Sequence, residues 1–150
     1  MATVSYTAYN TADTAVAGAT MNTLTSGSFA LGSAIDNSSS KYLWGDLELV
    51  LSSSVTAGSG NPTVDVYLLP AVDGTNYPTP PGGSGAAAPA TYLVGSIVAN
   101  ASAGITVGHL LRIPLVPQNF KIMIKNVLGA SFPATNTSTL KLYRYGLTVA

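Results

Sequence analysis

The chain has 150 residues with six basic and six acidic side chains, one histidine and no cysteine, so its formal net charge is zero. Charged residues make up 8% of the sequence, against about 25% in an ordinary soluble domain, and so few cations cannot form the basic patch of a nucleic-acid-binding protein. The absence of cysteine excludes disulfides and cysteine-ligated metal sites, and 47% hydrophobic residues at zero net charge are the reverse of the pattern of disordered chains.

Length and hydropathy predict one folded domain without a membrane span. The longest apolar stretch, residues 110–116, is interrupted by Arg112 and Pro114, whereas a membrane helix needs about 20 consecutive apolar residues. The N-terminus lacks the basic and apolar regions of a signal peptide, so we expect synthesis in a cytoplasm. A chain with so few charges has little electrostatic repulsion to keep its molecules apart in solution. We therefore expect a surface rich in Ser, Thr and Asn that is partly covered by partners.

The N-terminal region has the weakest pattern. Val4, Tyr6 and Ala8 alternate with polar residues, which indicates a short strand. The Ala- and Thr-rich segment 11–25 has no clear period; we interpret it as an extended arm, with a short helix as the alternative. The predicted organisation is an arm or irregular segment over residues 1–27, followed by a β-sandwich over residues 28–150.

The clearest strand is predicted over residues 42–52, where side chains alternate with period two. One face carries leucines, namely Leu43, Leu47, Leu49 and Leu51. The opposite face carries aromatic and polar side chains, namely Tyr42, Trp44, Asp46, Glu48 and Ser52. One face of this strand therefore packs on a core and the other meets solvent or a partner.

Short apolar runs between turn residues predict the remaining strands. They cover residues 29–35, 64–69, 92–99, 110–115, 120–125 and 139–149. Phe120, Ile122 and Ile124 alternate with Lys121, Met123 and Lys125, and Leu140 and Leu142 alternate with Lys141, Tyr143 and Tyr145. Residues 73–90 are rich in Pro and Gly and predict a long irregular loop. The fold class is all-β: a single antiparallel two-sheet β-sandwich, of jelly-roll or immunoglobulin-like kind, with an extended N-terminal arm.

The sequence offers little catalytic chemistry. His109 is the only imidazole, and although a lone histidine can act as a general base, we interpret it as a strand-edge side chain. No Gly-x-Ser-x-Gly elbow is present to place a nucleophilic serine. We therefore expect no enzyme activity and assign no catalytic residue.

Asp46 and Glu48 are the only close pair of carboxylates. Two residues apart on a strand, their Cα atoms are about 6.6 Å apart, within the roughly 5–9 Å that glycoside hydrolysis uses, and Trp44 and Tyr42 beside them would offer a sugar-stacking surface. The preferred interpretation is a solvated sheet face, with cross-strand pairing to a basic residue. The candidate basic partners are Lys121, Lys125 and Arg144.

Two further motifs are interpreted as structural. Asp73-Gly74-Thr75-Asn76 has oxygen ligands at close spacing but lacks the terminal bidentate carboxylate of a calcium loop, so a turn is expected. Asn-x-Ser/Thr triplets at Asn37, Asn100 and Asn136 are interpreted as chance matches rather than glycosylation sites. We expect neither a metal nor a cofactor.

Exposed aromatic side chains provide the candidate contact surface. Aromatic residues on a sheet face bury a large area on binding, and the alternative is that the chain's own arm or loop covers them. Under either interpretation something lies over this face. The candidate partner contacts are Val4, Tyr6, Tyr9, Tyr42, Trp44, Tyr143 and Tyr145.

Several strand-and-turn phrases resemble small virion proteins of tailed bacteriophages, in particular jelly-roll capsid decoration (cement) proteins. The resemblance covers residues 40–145 approximately, and the first 40 residues do not share it. The phrases are Tyr42-Leu43-Trp44-Gly45-Asp46-Leu47-Glu48-Leu49, Val66-Tyr67-Leu68-Leu69-Pro70, Asp73-Gly74-Thr75-Asn76-Tyr77 and Pro117-Gln118-Asn119-Phe120-Lys121 through Asn126.

The resemblance implies a homotrimer that binds the major capsid protein on the exterior of an assembled virion, clamps neighbouring capsomers and carries no catalytic residue. Such proteins use extended terminal arms, which here would be residues 2–25, so a chain lacking them is expected to fold but not to coat capsids. The alternatives are a tail, baseplate or fibre-attachment module of a virion, and a carbohydrate-binding sandwich that uses Trp44 and Tyr42.

Overall fold

The computed structural model describes residues 3–52, 55, 57–58, 61–81, 87, 89–99, 106–135 and 137–149. Strands dominate this part of the chain, together with one helical turn, α1 (Gly18–Met21), and one 3₁₀ turn (Ala90–Tyr92). The strands are β1 (Val4–Tyr6), β2 (Asp13–Val16), β3 (Phe29–Ile35), β4 (Trp44–Leu51), β5 (Thr63–Pro70), β6 (Leu93–Val98), β7 (Thr106–Pro114), β8 (Phe120–Val127), β9 (Thr139–Tyr145) and β10 (Leu147–Val149). No helix within the described ranges is long and apolar enough to cross a membrane.

Eight of these strands form two antiparallel sheets of four strands each. The first sheet has the order β2–β9–β4–β7 and the second has the order β3–β8–β5–β6. Neighbours within each sheet are mostly distant in sequence, and this order is that of a jelly roll. β1 and β10 pair separately as a two-stranded antiparallel ribbon. The predicted all-β, antiparallel two-sheet sandwich of jelly-roll type is therefore confirmed.

The core lies between the two sheets because alternate residues of each central strand face inward. From the first sheet it receives Leu47, Leu49, Leu51, Leu140 and Leu142, and from the second Val64, Val66, Leu68, Phe120, Ile122 and Ile124. The alternation predicted from the sequence is correct for these positions.

The second sheet also buries apolar side chains on its outer face. Met123, predicted to lie with the two lysines on the polar face of β8, is fully buried. It forms a smaller cluster with Tyr67 and Leu69, against which Phe29 and Tyr92 pack. Period two places Met123 on the correct side of β8, but the sequence does not reveal that this side is also covered.

The N-terminal region is not an arm over its full length. Ala15 and Val16 of β2, Met21 of α1 and Leu24 are buried in the core, and β2 pairs with β9. The sequence hides this strand because it is four residues long and its register with β9 shifts between Thr14 and Val16. The boundary predicted at residue 27 is thus wrong for residues 13–24, which belong to the sandwich.

The two sheets approach each other closely where β2 faces β3. A Cβ atom on Gly32 of β3 would lie 1.7 Å from the carbonyl oxygen of Ala15. Because backbone cannot move aside as a flexible side chain can, only glycine fits at this position. Gly32 therefore allows β2 to complete the edge of the sandwich.

β4 begins at Trp44 rather than at residue 42 as predicted, and the contacts of Asn37 explain the difference. The buried Asn37 side chain accepts a hydrogen bond from the backbone N–H of Tyr42 and donates to the carbonyl oxygens of Tyr42 and Val116. Residues 42–43 are thereby held outside the strand, so Tyr42 packs against the core and Leu43 is exposed. The prediction that Tyr42 shares a face with Trp44 is wrong for this reason. Burial also makes Asn37 inaccessible to glycosylation, while Asn100 and Asn136 lie outside the described residues.

Asn126 of β8 ties the N-terminal region to the second sheet. Its fully buried amide donates to the carbonyl oxygens of Leu24 and Ala130, and its oxygen accepts from the N–H of Leu128. Leu24 is more than 100 residues away in sequence, so this contact helps to hold the segment that contains α1 in place.

The predicted loop over residues 73–90 is irregular where it is described, although residues 82–86 and 88 lie outside the description. It begins with the expected turn. The Asp73 carboxylate accepts hydrogen bonds from the N–H groups of Thr75 and Asn76 and from the Asn76 amide, which lowers the pKa of Asp73 to about 2. Gly74 has φ +80°. The carboxylate is engaged by its own turn.

Candidate functional site

The outer face of the first sheet carries the predicted aromatic side chains. Trp44 on β4 lies directly opposite Tyr145 on β9 in the strand register, and their ring centroids are 6.1 Å apart. Tyr143 and Tyr145 point outward because they alternate with the buried Leu140 and Leu142. This face is therefore the one that was expected to meet a partner or to be covered by the chain itself.

The N-terminal segment, residues 4–10, covers part of this face. The Tyr6 ring meets the rings of Trp44 and Tyr145 edge-on, each at 6.2 Å between centroids. Tyr9 meets Tyr143 at 5.9 Å and Tyr145 at 5.2 Å. Such edge-to-face pairs are each worth about 0.5–1.5 kcal/mol beyond the area they bury. In this part of the sheet the chain's own N-terminal segment covers the aromatic side chains, which is one of the two alternatives drawn from the sequence.

Backbone hydrogen bonds fix the N-terminal segment along β9 and β10. Thr7 donates its N–H to the Gly146 carbonyl oxygen at 3.0 Å, and the Gly146 N–H donates to the Thr7 hydroxyl at 2.7 Å. Asn10 exchanges a similar pair with Arg144, through its own N–H and its side-chain oxygen. The segment is therefore aligned as an added strand rather than left loose.

Asp46 is the polar centre of the face. Its carboxylate accepts hydrogen bonds from the Tyr9 hydroxyl, from the Arg112 backbone N–H at 2.7 Å and from the Tyr145 hydroxyl at 3.4 Å. The second contact exists because the register of β4 with β7 shifts between Gly45 and Leu47, and Arg112 in that bulge has φ +57°. The bulge turns the Arg112 N–H toward Asp46.

These contacts shift the ionisation of the tyrosines. The hydrogen bond to Asp46 raises the pKa of Tyr9 to about 12, because the neutral hydroxyl donates to a carboxylate that would repel a phenolate. Burial, and then the charge of Asp46, raises the pKa of Tyr145. Burial, and then the charge of Glu48, raises that of Tyr143.

We expect the hydrogen bond between Tyr9 and Asp46 to be lost at high pH. Tyr9 has a higher pKa in the folded chain than the ordinary 10, so its contribution to stability is complete below pH 10 and is lost as the pH rises from about 10 to about 12. The ultraviolet phenolate titration of the wild type minus that of Tyr9→Phe should show one group with a pKa of about 12. In an Asp46→Asn background the same difference should move toward 10. A difference curve centred at 10 in the native sequence would contradict the contact.

The second carboxylate, Glu48, has separate partners. His109 Nε2 on β7 lies 3.5 Å from its Oε2, and the Tyr143 hydroxyl lies 3.4 Å from its Oε1. His109, predicted to lie at the start of a strand, lies within β7, which is an edge strand of its sheet. The two carboxylates of the predicted pair thus lie on one face but belong to different contact sets.

The predicted basic partners of these carboxylates are wrong. Lys121 and Lys125 belong to the other sheet, where their ammonium groups lie over the rings of Tyr77 at 4.4 Å and Phe29 at 5.5 Å. Arg144 has the same parity as Leu140 and Leu142, so period two places it on the core side of β9.

Arg144 instead organises one end of the sandwich. Its Nε donates to Asp13 Oδ2 at 2.8 Å and its Nη1 donates to the carbonyl oxygen of Asp36. Its guanidinium lies 5.2 Å from the centre of the Tyr42 ring. Tyr42 therefore takes part in a buried structural contact rather than in an exposed platform.

The candidate partner contacts fall into three groups in the structure. Val4, Tyr6 and Tyr9 are exposed, at 59%, 62% and 57%. Trp44, Tyr143 and Tyr145 are half-buried beside the N-terminal segment, and Tyr42 is half-buried against the core. Sequence reasoning missed the exposed Leu43, Leu111 and Leu147 and the role of Arg112. The alternation of Val107, His109 and Leu111 could have identified Leu111, but no sequence signal indicates the bulge.

Two hollows open on this face. The larger, which we call the groove, has a volume of about 550 Å³ and lies between residues 6–9 and the bulge of β7, with Asp46 and Tyr145 also lining it. The smaller, of about 260 Å³, lies on the other side of Tyr9 and includes Glu48 and His109. Within the part of the chain that the structure describes, no three His, Cys, Asp or Glu residues are grouped so that they could hold a metal ion.

No protein-family model matches this sequence, and no curated protein matches it.

Proposed function

We propose that this chain is a structural protein of a phage virion that binds the outside of the assembled capsid and clamps neighbouring capsomers. The observation that carries the proposal is an exposed, uncharged apolar surface at one end of the sandwich. We call it the end patch and define it as Val4, Tyr6, Leu43 and Leu147, which are 59%, 62%, 46% and 43% exposed.

The residues of the end patch lie on segments that are neighbours in the fold. Tyr6 lies opposite Leu147 in the β1–β10 register, and the backbone of residues 42–43 lies beside Gly146. Apolar surface that stays together and exposed is typical of protein contact sites. The low charge of the whole chain supports the same proposal, because charged residues are depleted at the centres of interfaces.

The fold is compatible with this role but does not distinguish it, because jelly rolls include both viral capsid proteins and lectins. The support comes from the end patch, from the weakly charged surface and from the resemblance of residues 40–145 to decoration proteins. The proposed partners are the major capsid protein and two further copies of this chain in a homotrimer. The proposed role is non-catalytic.

Clamping follows from mass action. A protein that binds only the assembled shell stabilises that state, by about 2.7 kcal/mol per site when present at 100 times its dissociation constant. A trimer would hold three end patches near the shell at once, so the second and third contacts would form at high effective concentration. A shell held in this way resists dissociation of its capsomers.

A tail, baseplate or fibre-attachment module is the second candidate from the resemblance. Copy number separates the two, because a decoration protein approaches the abundance of the major capsid protein and a tail module does not. The third candidate is a carbohydrate-binding surface formed by Trp44 and Tyr42. Tyr42 faces the core and Tyr6 lies against Trp44, so these two rings do not form one open surface.

Deleting the N-terminal segment should abolish shell binding without unfolding the domain. The deletion of residues 2–25 expected to be informative from the sequence would remove Ala15, Val16 and Met21 from the core, so it should unfold the chain. A chain that begins at Asn10 keeps these residues and the hydrogen bonds between Asn10 and Arg144. We expect it to be folded by circular dichroism and to remain in the supernatant when sedimented with capsids of the encoding phage.

Matched valine variants provide the control. Val4 and Val72 are both strongly exposed, at 59% and 74%, but Val72 lies in the turn after β5 rather than in the end patch. Val4→Asp should weaken co-sedimentation about tenfold or more, and Val72→Asp should leave it unchanged. Full binding by both the Val4→Asp protein and the truncated chain would refute the end patch as the shell contact.

A further inference from the structure

The groove has the volume of a small-molecule site, and it shares only Tyr6 with the end patch. Its volume of about 550 Å³ falls within the roughly 300–1,000 Å³ of such sites. One wall is the extended N-terminal segment with Tyr6 and Tyr9, the other is Leu111 and Arg112 of β7, and Asp46 and Tyr145 line the space between them.

The charged groups of the groove are the Asp46 carboxylate, an acceptor, and the Arg112 guanidinium, a donor. Asp46 is held by the Arg112 N–H and by the hydroxyls of Tyr9 and Tyr145, yet a carboxylate has about four lone-pair sites. The Arg112 side chain is exposed, and the ion pairs of the described residues, His109–Glu48 and Arg144–Asp13, do not include it. A guanidinium presents several N–H donors in a planar fork. Together they match a ligand with adjacent hydroxyls, each of which can both donate and accept.

The rest of the lining is apolar and aromatic. Tyr6 meets its neighbours edge-on, and with 62% of its surface exposed it still presents ring surface to solvent. Leu111 is 61% exposed on the opposite wall. A ligand with a C–H face and a rim of hydroxyls would pack on these surfaces while its rim meets Asp46 and Arg112. We infer that the groove binds a neutral saccharide.

Charge and backbone geometry disfavour other ligands. One carboxylate and one guanidinium line the same groove, so their charges offset each other and neither an anionic nor a cationic ligand gains a net attraction. A peptide that adds a strand to the sheet edge needs a row of free backbone groups, but the Arg112 N–H is already bonded to Asp46. The inference does not depend on the proposed shell binding, since sugar and capsid are tested in separate assays.

The test is an NMR titration of the isotope-labelled full-length chain with trisaccharides of glucose, galactose, mannose and N-acetylglucosamine, each at up to about 10 mM. We expect at least one to shift backbone resonances of residues 6–9 and 110–113. Sialyllactose, which carries a carboxylate, should bind more weakly than the best neutral sugar. No shift with any of the four neutral sugars, or shifts confined to other surfaces, would overturn the inference, and so would a preference for sialyllactose.

Arg112→Gly and its control, Lys41→Gly, form a matched pair of variants. Arg112 and Lys41 are exposed cations with positive φ values, 57° and 48°, which glycine adopts without strain, but only Arg112 lines the groove. Arg112→Gly should weaken saccharide binding about tenfold, whereas Lys41→Gly should not change it. Leu111→Ala, at an exposed position, should also weaken binding and serves if Arg112→Gly does not fold. Equal binding by the wild type and the groove variants would refute the site.

Discussion

Replacing Gly32 with alanine should destabilise the native sandwich by about 3 kcal/mol or more, because the new Cβ would lie 1.7 Å from the Ala15 carbonyl oxygen and must displace backbone rather than a side chain. Overpacking of a close-packed interior costs typically 1–3 kcal/mol, occasionally more, and a contact this short lies at the upper end. A loss of this size is a large part of the roughly 5–15 kcal/mol that holds a domain folded. Urea unfolding followed by tryptophan fluorescence measures it.

Gly146→Ala is the matched control for this substitution. A Cβ atom there would meet its nearest neighbours at 3.9 Å, which is ordinary van der Waals contact. Its urea midpoint should stay close to that of the wild type. If Gly32→Ala were equally well tolerated, β2 could not lie against β3 as the structure has it, and the N-terminal region would be a free arm after all.

The Asn126→Leu variant should lose about 3 kcal/mol or more of unfolding free energy, even though it introduces an apolar side chain into a buried position. The substitution leaves the carbonyl oxygen of Ala130 and the N–H of Leu128 without the Asn126 side chain, and the Leu24 carbonyl oxygen keeps only its bond from the Phe132 N–H. Each buried polar group left unsatisfied costs about 1–3 kcal/mol. Loss of the tie should also raise hydrogen exchange at residues 20–26 more than elsewhere.

Asn76→Leu tests whether the effect comes from burial. Asn76 also donates its amide to an oxygen, at Asp73, but both residues are exposed in the turn after β5. Water can replace that contact, so we expect a loss below about 1 kcal/mol. Equal losses in the two leucine variants would show that the Asn126 amide does not hold the N-terminal region.

Period-two alternation was sufficient to predict the sandwich from the sequence. The inward leucines of β4 and β9 and the isoleucines of β8 have one strict period, so their faces follow from spacing alone. The same spacing also places Arg144 with Leu140 and Leu142, although we had expected Arg144 to pair with the outer carboxylates. The jelly-roll strand order follows from pairings between segments that are distant in sequence. The spacing of residues within one strand predicts the class of fold but not this order.

The features that could not be predicted from the sequence depend on single local irregularities of the fold. β2 is short and has shifted pairing, so its apolar residues show no period. Asn37 holds Tyr42 outside β4 and reverses the expected faces of Tyr42 and Leu43. The bulge at Arg112 brings its N–H to Asp46. β2 and the bulge depend on partners distant in sequence, and Asn37 also bonds the distant Val116 carbonyl oxygen. No local propensity encodes the identity of such partners.

These irregularities change which surface is available for function. Trp44, Tyr143 and Tyr145 were expected to be covered either by a partner or by the chain's own arm or loop, and residues 4–10 of the same chain pack against them. The exposed apolar surface nearest to these rings is in the end patch and in the groove, which share Tyr6. The end patch is the proposed shell contact, and the groove is the proposed ligand site.

The central proposal is that this chain is a phage virion protein, and an electron-microscopy map of the intact particle of the phage proposed to encode it tests that proposal most directly. Our account predicts density for the sandwich at symmetry-related positions over the outer surface of the capsid, with the end patch of Val4, Tyr6, Leu43 and Leu147 against the shell. Density for this chain confined to the tail or baseplate, or its absence from the particle, would contradict the account.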